Sequence, residues 1–119
     1  MNGYNQYKEQ SIMTMTQAEL LITLYDELIK RLVHANYAID QKDYSLLEQS
    51  IGRAVDILKY LKNTLDNSYP ISDELSKLYE FFVYELMRVK SGRKKEVLDE
   101  IIPLIKDLRN TFDEAGRRL

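Results

Sequence analysis

The sequence contains no cysteine and no tryptophan, one histidine, and only four glycines and two prolines in 119 residues. Without cysteine there is no disulfide, no thiolate metal site and no cysteine nucleophile. A lone histidine, His34, excludes a two-histidine metal site within one chain. So little glycine and proline is too little for the many tight turns of a sandwich or barrel. Neither sign of charge dominates. Lys plus Arg number 17 against 19 for Asp plus Glu, a net charge of −2, which argues against a nucleic-acid binder driven by bulk charge. No run approaches the roughly 18 consecutive apolar residues of a membrane span. The opening MNGYNQYKEQ has no apolar stretch of the kind a secretory signal carries. A soluble protein of the cytoplasm (the cytosol), not inserted in a membrane, is the expectation.

What is present is a 45% hydrophobic share, normal for a globular chain, and nine tyrosines, which is many. The length suits one domain over 1–119. Residues 1–15 are polar, hold Tyr4 and Tyr7, and show no sustained period, which reads as an N-terminal arm.

Four amphipathic stretches follow, expected as helices at about 17–41, 44–67, 73–91 and 94–115. Thr16 and Glu19 form a capping box before the first. Leu21, Leu24, Leu28, Leu32, Ala35 and Ile39 make its stripe, with Ile22, Ile29 and Val33 as a second flank. Asp43 caps the second helix, with Ser45 and Glu48 as a competing box; the stripe is Leu47, Ile51, Ala54, Leu58, Leu61 and Leu65. Asn-Ser-Tyr-Pro is turn chemistry, so this helix should end near Asn67. Ser72 is the expected cap of the third, whose stripe is Leu75, Tyr79, Phe82, Leu86 and Val89 and whose C-cap is Gly92. The fourth runs through Val97, Ile101, Leu104, Leu108 and Phe112 to Gly116, with a kink expected at Pro103 because the stripe keeps its phase there. Helices of about 20 residues are about 30 Å long. Short loops make neighbours antiparallel, so the expected fold is all-α, an antiparallel up-down four-helix bundle with an N-terminal arm.

No active site emerges. The Glu-x-x-His pairs of di-iron bundles are absent, because Arg31 stands three residues before His34. There is no phosphate-binding glycine loop and no nucleophile elbow. Asp26-Glu27, Asp73-Glu74 and Asp99-Glu100 are adjacent on helices and therefore diverge by about 100°. The expectation is a non-enzyme without cofactor or metal. The basic run Arg88, Lys90, Arg93, Lys94, Lys95 straddles a helix C-terminus, where cations offset the dipole.

Apolar groups outside the stripes are the informative feature. Leu46, Ile57 and Tyr60 lie off the second stripe; Phe81, Tyr84 and Met87 lie off the third. Contiguous exposed apolar groups mark interaction surfaces. Two occupants fit: the arm, with Tyr4, Tyr7, Ile12 and Met13, folding back, or a partner helix laid in a groove. The client-binding or groove-capping set is therefore Tyr4, Tyr7, Ile12, Met13, Leu46, Ile57, Tyr60, Phe81 and Tyr84. A self-associating structural bundle with no client, such as a homodimer, is the alternative.

The arm tyrosine Tyr7 and the blocks TQAELLITLYDELIKRL, KDYSLLEQSIGRAVDILKYL and LSKLYEFFVYELM, in this order and spacing, resemble the FliS family of flagellar secretion chaperones. Gln17, Glu27, Tyr84-Glu85 and Phe112 stand where that family more often has Pro, Gly, two basic residues and Trp. The resemblance implies a cytosolic chaperone for bacterial flagellum biogenesis. Its client would be the disordered C-terminal segment of flagellin, wrapped around the bundle so that it cannot polymerise early. The complex would be delivered to the export gate protein of the flagellar type III secretion apparatus. It also implies that the arm, through Tyr7, covers part of the client groove.

Overall fold

The computed structural model describes residues 16–117, and these form four helices and no strand. They are α1 (Gln17–Asp40), α2 (Tyr44–Asn63), α3 (Ile71–Gly92) and α4 (Lys95–Arg117). In α1 the Thr16 hydroxyl accepts from the Glu19 amide at 3.1 Å, and Asp43 caps α2 by accepting from the Leu46 amide at 3.1 Å. Replacing Asp43 with Ala should therefore cost about 1 kcal/mol in a denaturant titration.

Several ends differ from the sequence expectation. The second helix stops at Asn63, before Asn67, because Thr64 turns its hydroxyl back onto the Tyr60 and Leu61 carbonyls. Asp66 then accepts from both the amide and the hydroxyl of Ser68, closing a tight turn. Ser72 does not cap α3. The helix begins at Ile71, after Pro70, and the buried Ser72 hydroxyl donates to the Asp66 carbonyl. Gly92 stays helical, and Arg93 takes the left-handed position at φ 54°. Its guanidinium lies 3.5 Å from the centre of the Tyr44 ring, a cation–π contact that offsets the backbone strain. Lys42, at φ 56°, is also in the left-handed region. Lys42→Gly should stabilise the protein by about 0.5–1 kcal/mol, read as a shift in its unfolding midpoint. The fourth helix continues through Pro103 and past Gly116 to Arg117. Pro103 is exposed, so the carbonyl that loses its partner faces water.

The helices form a ring: α1 packs on α2 and α4, α2 on α3, and α3 on α4, the last pair most loosely. Three side-chain pairs fix the register of α1 against α4. Asp40–Lys95 meets at 2.7 Å, Asn36–Asp99 at 3.0 Å and Asp26–Arg109 at 2.9 Å. The residue numbers of each pair add to one constant, which is the signature of antiparallel neighbours. Exposed pairs of this kind contribute at most about 1 kcal/mol each. They set register more than stability.

Stability comes from the core. Leu28, Leu32, Ile51, Leu58, Phe82, Leu86, Leu98 and Ile105 are wholly buried. Each such side chain contributes about 1.5–3 kcal/mol by leaving water. All five expected stripe residues of α3 are in it. Two details of the other stripes change. Tyr25 belongs to the core of α1, while Val33 is 49% exposed. In α4 the expected Val97 and Ile101 are buried, Leu98, Ile102 and Ile105 join them in the core, Leu108 and Phe112 pack against it, and Leu104 is 48% exposed.

Candidate binding surfaces

Tyr4, Tyr7, Ile12 and Met13 lie outside the described residues. Of the remaining candidates, Tyr60, Phe81 and Tyr84 are exposed, whereas Leu46 and Ile57 are half-buried and packed against the core. Met87 is exposed as well.

These residues do not form one patch. The α2–α3 seam is marked by the Lys62–Glu80 ion pair at 2.6 Å and by a shallow cavity that includes Lys59 and Val83. At about 100° per residue, Leu46, Ile57 and Tyr60 fall on the other flank of α2, the flank that meets α1. Phe81 falls on the flank of α3 opposite Val83, facing α4, with Tyr84 beside it on the outer surface. On α4, Lys95, Asp99 and Arg109 face α1, which puts Leu104 on the flank towards α3. Phe81 and Leu104 therefore edge the loosest seam, α3–α4, and Tyr84 faces outward. Leu46, Ile57 and Tyr60 edge α1–α2, on the opposite side of the ring.

A third apolar surface was not evident from the sequence. At the end of the bundle where α1 and α3 begin, a cavity is lined by Leu20, Leu21, Leu24, Leu65, Tyr69 and Tyr79, among others. Tyr60 of the α1–α2 seam reaches its rim, so seam and cavity are continuous. Leu21, Leu24 and Leu65 have the spacing of core residues. They line a cavity because α2 ends early, and among the described residues no helix turn covers them. The signal was the turn chemistry after Asn63, read as lying four residues later. Beside this cavity, Ala18, Ile22 and Gly116 line a second one between α1 and α4. Phe112 borders both and stacks on Tyr25 at 5.7 Å.

The Tyr25 and Tyr79 hydroxyls meet at 2.6 Å inside the core. Burial pushes both above the ordinary tyrosine value, so both keep their protons at neutral pH. At the cavity rim the Ser68 hydroxyl and amide hold the Asp66 carboxyl below its usual value. A carboxylate depressed in the folded state stabilises above its unfolded pKa, and that contribution is lost as pH falls through the folded one.

Three residues of the basic run make structural contacts: Arg88 pairs with Glu85 at 2.9 Å, Lys95 with Asp40, and Arg93 stacks on Tyr44. His34 is half-buried. Among the described residues no group of three or more His, Asp or Glu is placed to hold a metal, and no helix is long and apolar enough to cross a membrane.

A family model described as flagellar protein FliS matches residues 1–119. The chain is similar to the flagellar secretion chaperone FliS of Bacillus subtilis, 25% identical over 114 residues, covering 96% of this chain and 86% of that one. It is similar to the flagellar secretion chaperone FliS of Vibrio cholerae, at 24% identity, covering 91% and 84% of the two chains. A third relative, the protein of the same name from Salmonella typhimurium, is 22% identical over 111 residues. A four-helix bundle with apolar seams, matched from end to end by this model, belongs to the FliS family.

Proposed function

We propose that this chain is a cytosolic export chaperone that holds the disordered C-terminal segment of flagellin, prevents its premature polymerisation and delivers it to the flagellar type III export gate. Membership of the FliS family and relatives named flagellar secretion chaperones support the chaperone role. The observation that carries the client's form is the placement of apolar groups on two opposite seams and one end of the bundle. A folded partner would meet one of these surfaces. An extended segment wrapped around the bundle reaches Phe81 and Leu104, Tyr60 and the end cavity in turn. Such a client loses several kcal/mol to ordering, which leaves the modest affinity that release at an export gate requires.

The test is filament growth from flagellin seeded with filament fragments. An equimolar amount of this protein should arrest growth, and unaltered growth would remove the reading. Residues 1–15 compete with the client for part of this surface. Deleting them should raise binding of a hydrophobic dye without loss of helix, and unchanged dye binding would make them a free tail. The self-associating alternative rests on Phe81, Tyr84 and Leu104 as a contact between copies. Light scattering with and without a flagellin C-terminal peptide separates the two readings.

A further inference from the structure

Charge is sorted across α4. Lys95 and Arg109 pair with α1, and at about 100° per residue Lys106 falls on that same side. Glu96, Glu100, Asp107 and Glu114 fall on the other side, towards α3, around the half-exposed Leu104. The facing flank of α3 carries Glu74, Lys77, Glu85 and Arg88 around Phe81, and Glu85 takes up the Arg88 charge. Among the described residues Glu74, Glu100 and Asp107 make no ion pair, and Lys77 is the one unpaired cation of the seam. The chain as a whole is nearly balanced, at 19 acidic against 17 basic residues, so this seam is acidic out of proportion. Only Arg93 and Lys94 join α3 to α4, which sets Phe81 nearly level with Leu104, Leu78 with Leu108 and Glu85 with Glu100. An apolar strip therefore runs along the seam between carboxylates.

The walls also select the form of an occupant. Both are helix interiors, whose backbone groups are bonded within their own helices. Thr111 donates to the Asp107 carbonyl, and carboxylates accept without donating. An extended segment would bring carbonyls that find only Lys77 as a donor. A helix satisfies its own backbone, lays an apolar stripe along the strip and sets the residues beside that stripe against the carboxylates. A second copy using the same seam would set carboxylate against carboxylate. Residues 1–15 bring one lysine and one glutamate, which gives no net complement.

We infer that the α3–α4 seam takes an amphipathic helix whose apolar stripe is flanked by lysine or arginine, which meet Glu74, Glu100 and Asp107. This inference rests on the proposed function in one respect: the helix is the stretch of the client that reaches Phe81 and Leu104.

The experiment is calorimetric titration of the full chain at low and high salt. The probes are two synthetic peptides that share a leucine stripe, one flanked by lysine and one by glutamate, and a flagellin C-terminal peptide. One variant reverses the seam, Glu100→Lys with Asp107→Lys. The other makes the same change of net charge on α2, Glu48→Lys with Asp56→Lys. All four side chains are exposed, and circular dichroism checks that helix content is kept. At low salt wild type should bind the lysine-flanked peptide about tenfold or more tighter than the glutamate-flanked one, and salt should shrink that ratio. The seam reversal should abolish the preference and weaken the flagellin peptide about tenfold, while the α2 reversal should stay within about threefold of wild type. Equal affinity for the two synthetic peptides, or equal losses in the two variants, overturns the inference. A flagellin peptide that binds wild type and ignores the seam reversal removes the client from this seam and overturns it too, with the proposed function intact. Self-association of wild type that the seam reversal changes would assign the seam to a second copy and overturn it as well. No flagellin binding by wild type, beside a bound lysine-flanked peptide, overturns the proposed function alone.

Discussion

Replacing Phe82 with alanine should lower the unfolding free energy by about 3–5 kcal/mol, the cost of lost burial plus the cavity left behind. Phe82 is wholly buried at the centre of α3, between the buried Leu75 and Tyr79 below and Leu86 and Val89 above. The informative companion is Leu104→Ala. That side chain is 48% exposed, so the change should cost less than about 1 kcal/mol, although its spacing from Ile101 and Leu108 is that of a core residue. Urea titrations of both variants check the pair. Similar losses for the two would put Leu104 in the core and rotate α4.

The second large effect concerns binding. Tyr60→Asp on the α1–α2 seam and Phe81→Asp on the α3–α4 seam should each weaken binding of the flagellin C-terminal segment by more than tenfold, about 1.4 kcal/mol, with helical content unchanged. Both side chains are about half exposed, so a charge there leaves the folded chain intact. Ile57 is a poorer probe. It packs against the core, and an aspartate at that position would test folding and binding together. A client that wraps the bundle is sensitive at both seams. Loss at only one of the two, with wild-type affinity at the other, would confine the client to a single groove.

How much of this could be read from the sequence depends on the range of the interaction. Local signals gave the four helices, the Thr16 and Asp43 caps and the whole α3 stripe, because each needs only neighbours in the chain. Where two local choices compete, tertiary contact decides. In α4, Val97-Ile101-Leu104-Leu108 and Leu98-Ile101-Ile105-Leu108 are both valid helical stripes. The anchoring of Asp99 and Arg109 on α1 turns the helix so that Leu98 and Ile105 are buried, Val97 stays in the core and Leu104 is left out. Tyr25 was missed because a tyrosine is apolar enough for a core only when its hydroxyl has a partner, and that partner, Tyr79, is 54 residues away. The surface residues show the same limit. Periodicity identified Tyr60, Phe81 and Tyr84 as lying off the stripes. It could not place them on opposite sides, because which flank meets which neighbour follows from the order of the ring. The end cavity lies where α2 stops at Asn63, and that stop is set by the local contacts of Thr64 and Asp66, which the turn signal at Asn-Ser-Tyr-Pro masked.

The most direct measurement is a calorimetric titration of the full chain with the isolated C-terminal segment of flagellin at two temperatures, followed by circular dichroism of the mixture. Burial of apolar seams by a segment that orders on binding should give saturable one-to-one binding, a negative heat-capacity change and more helix than the sum of the parts. No saturable heat at either temperature, with the chain fully helical, would contradict the assignment of these seams to flagellin.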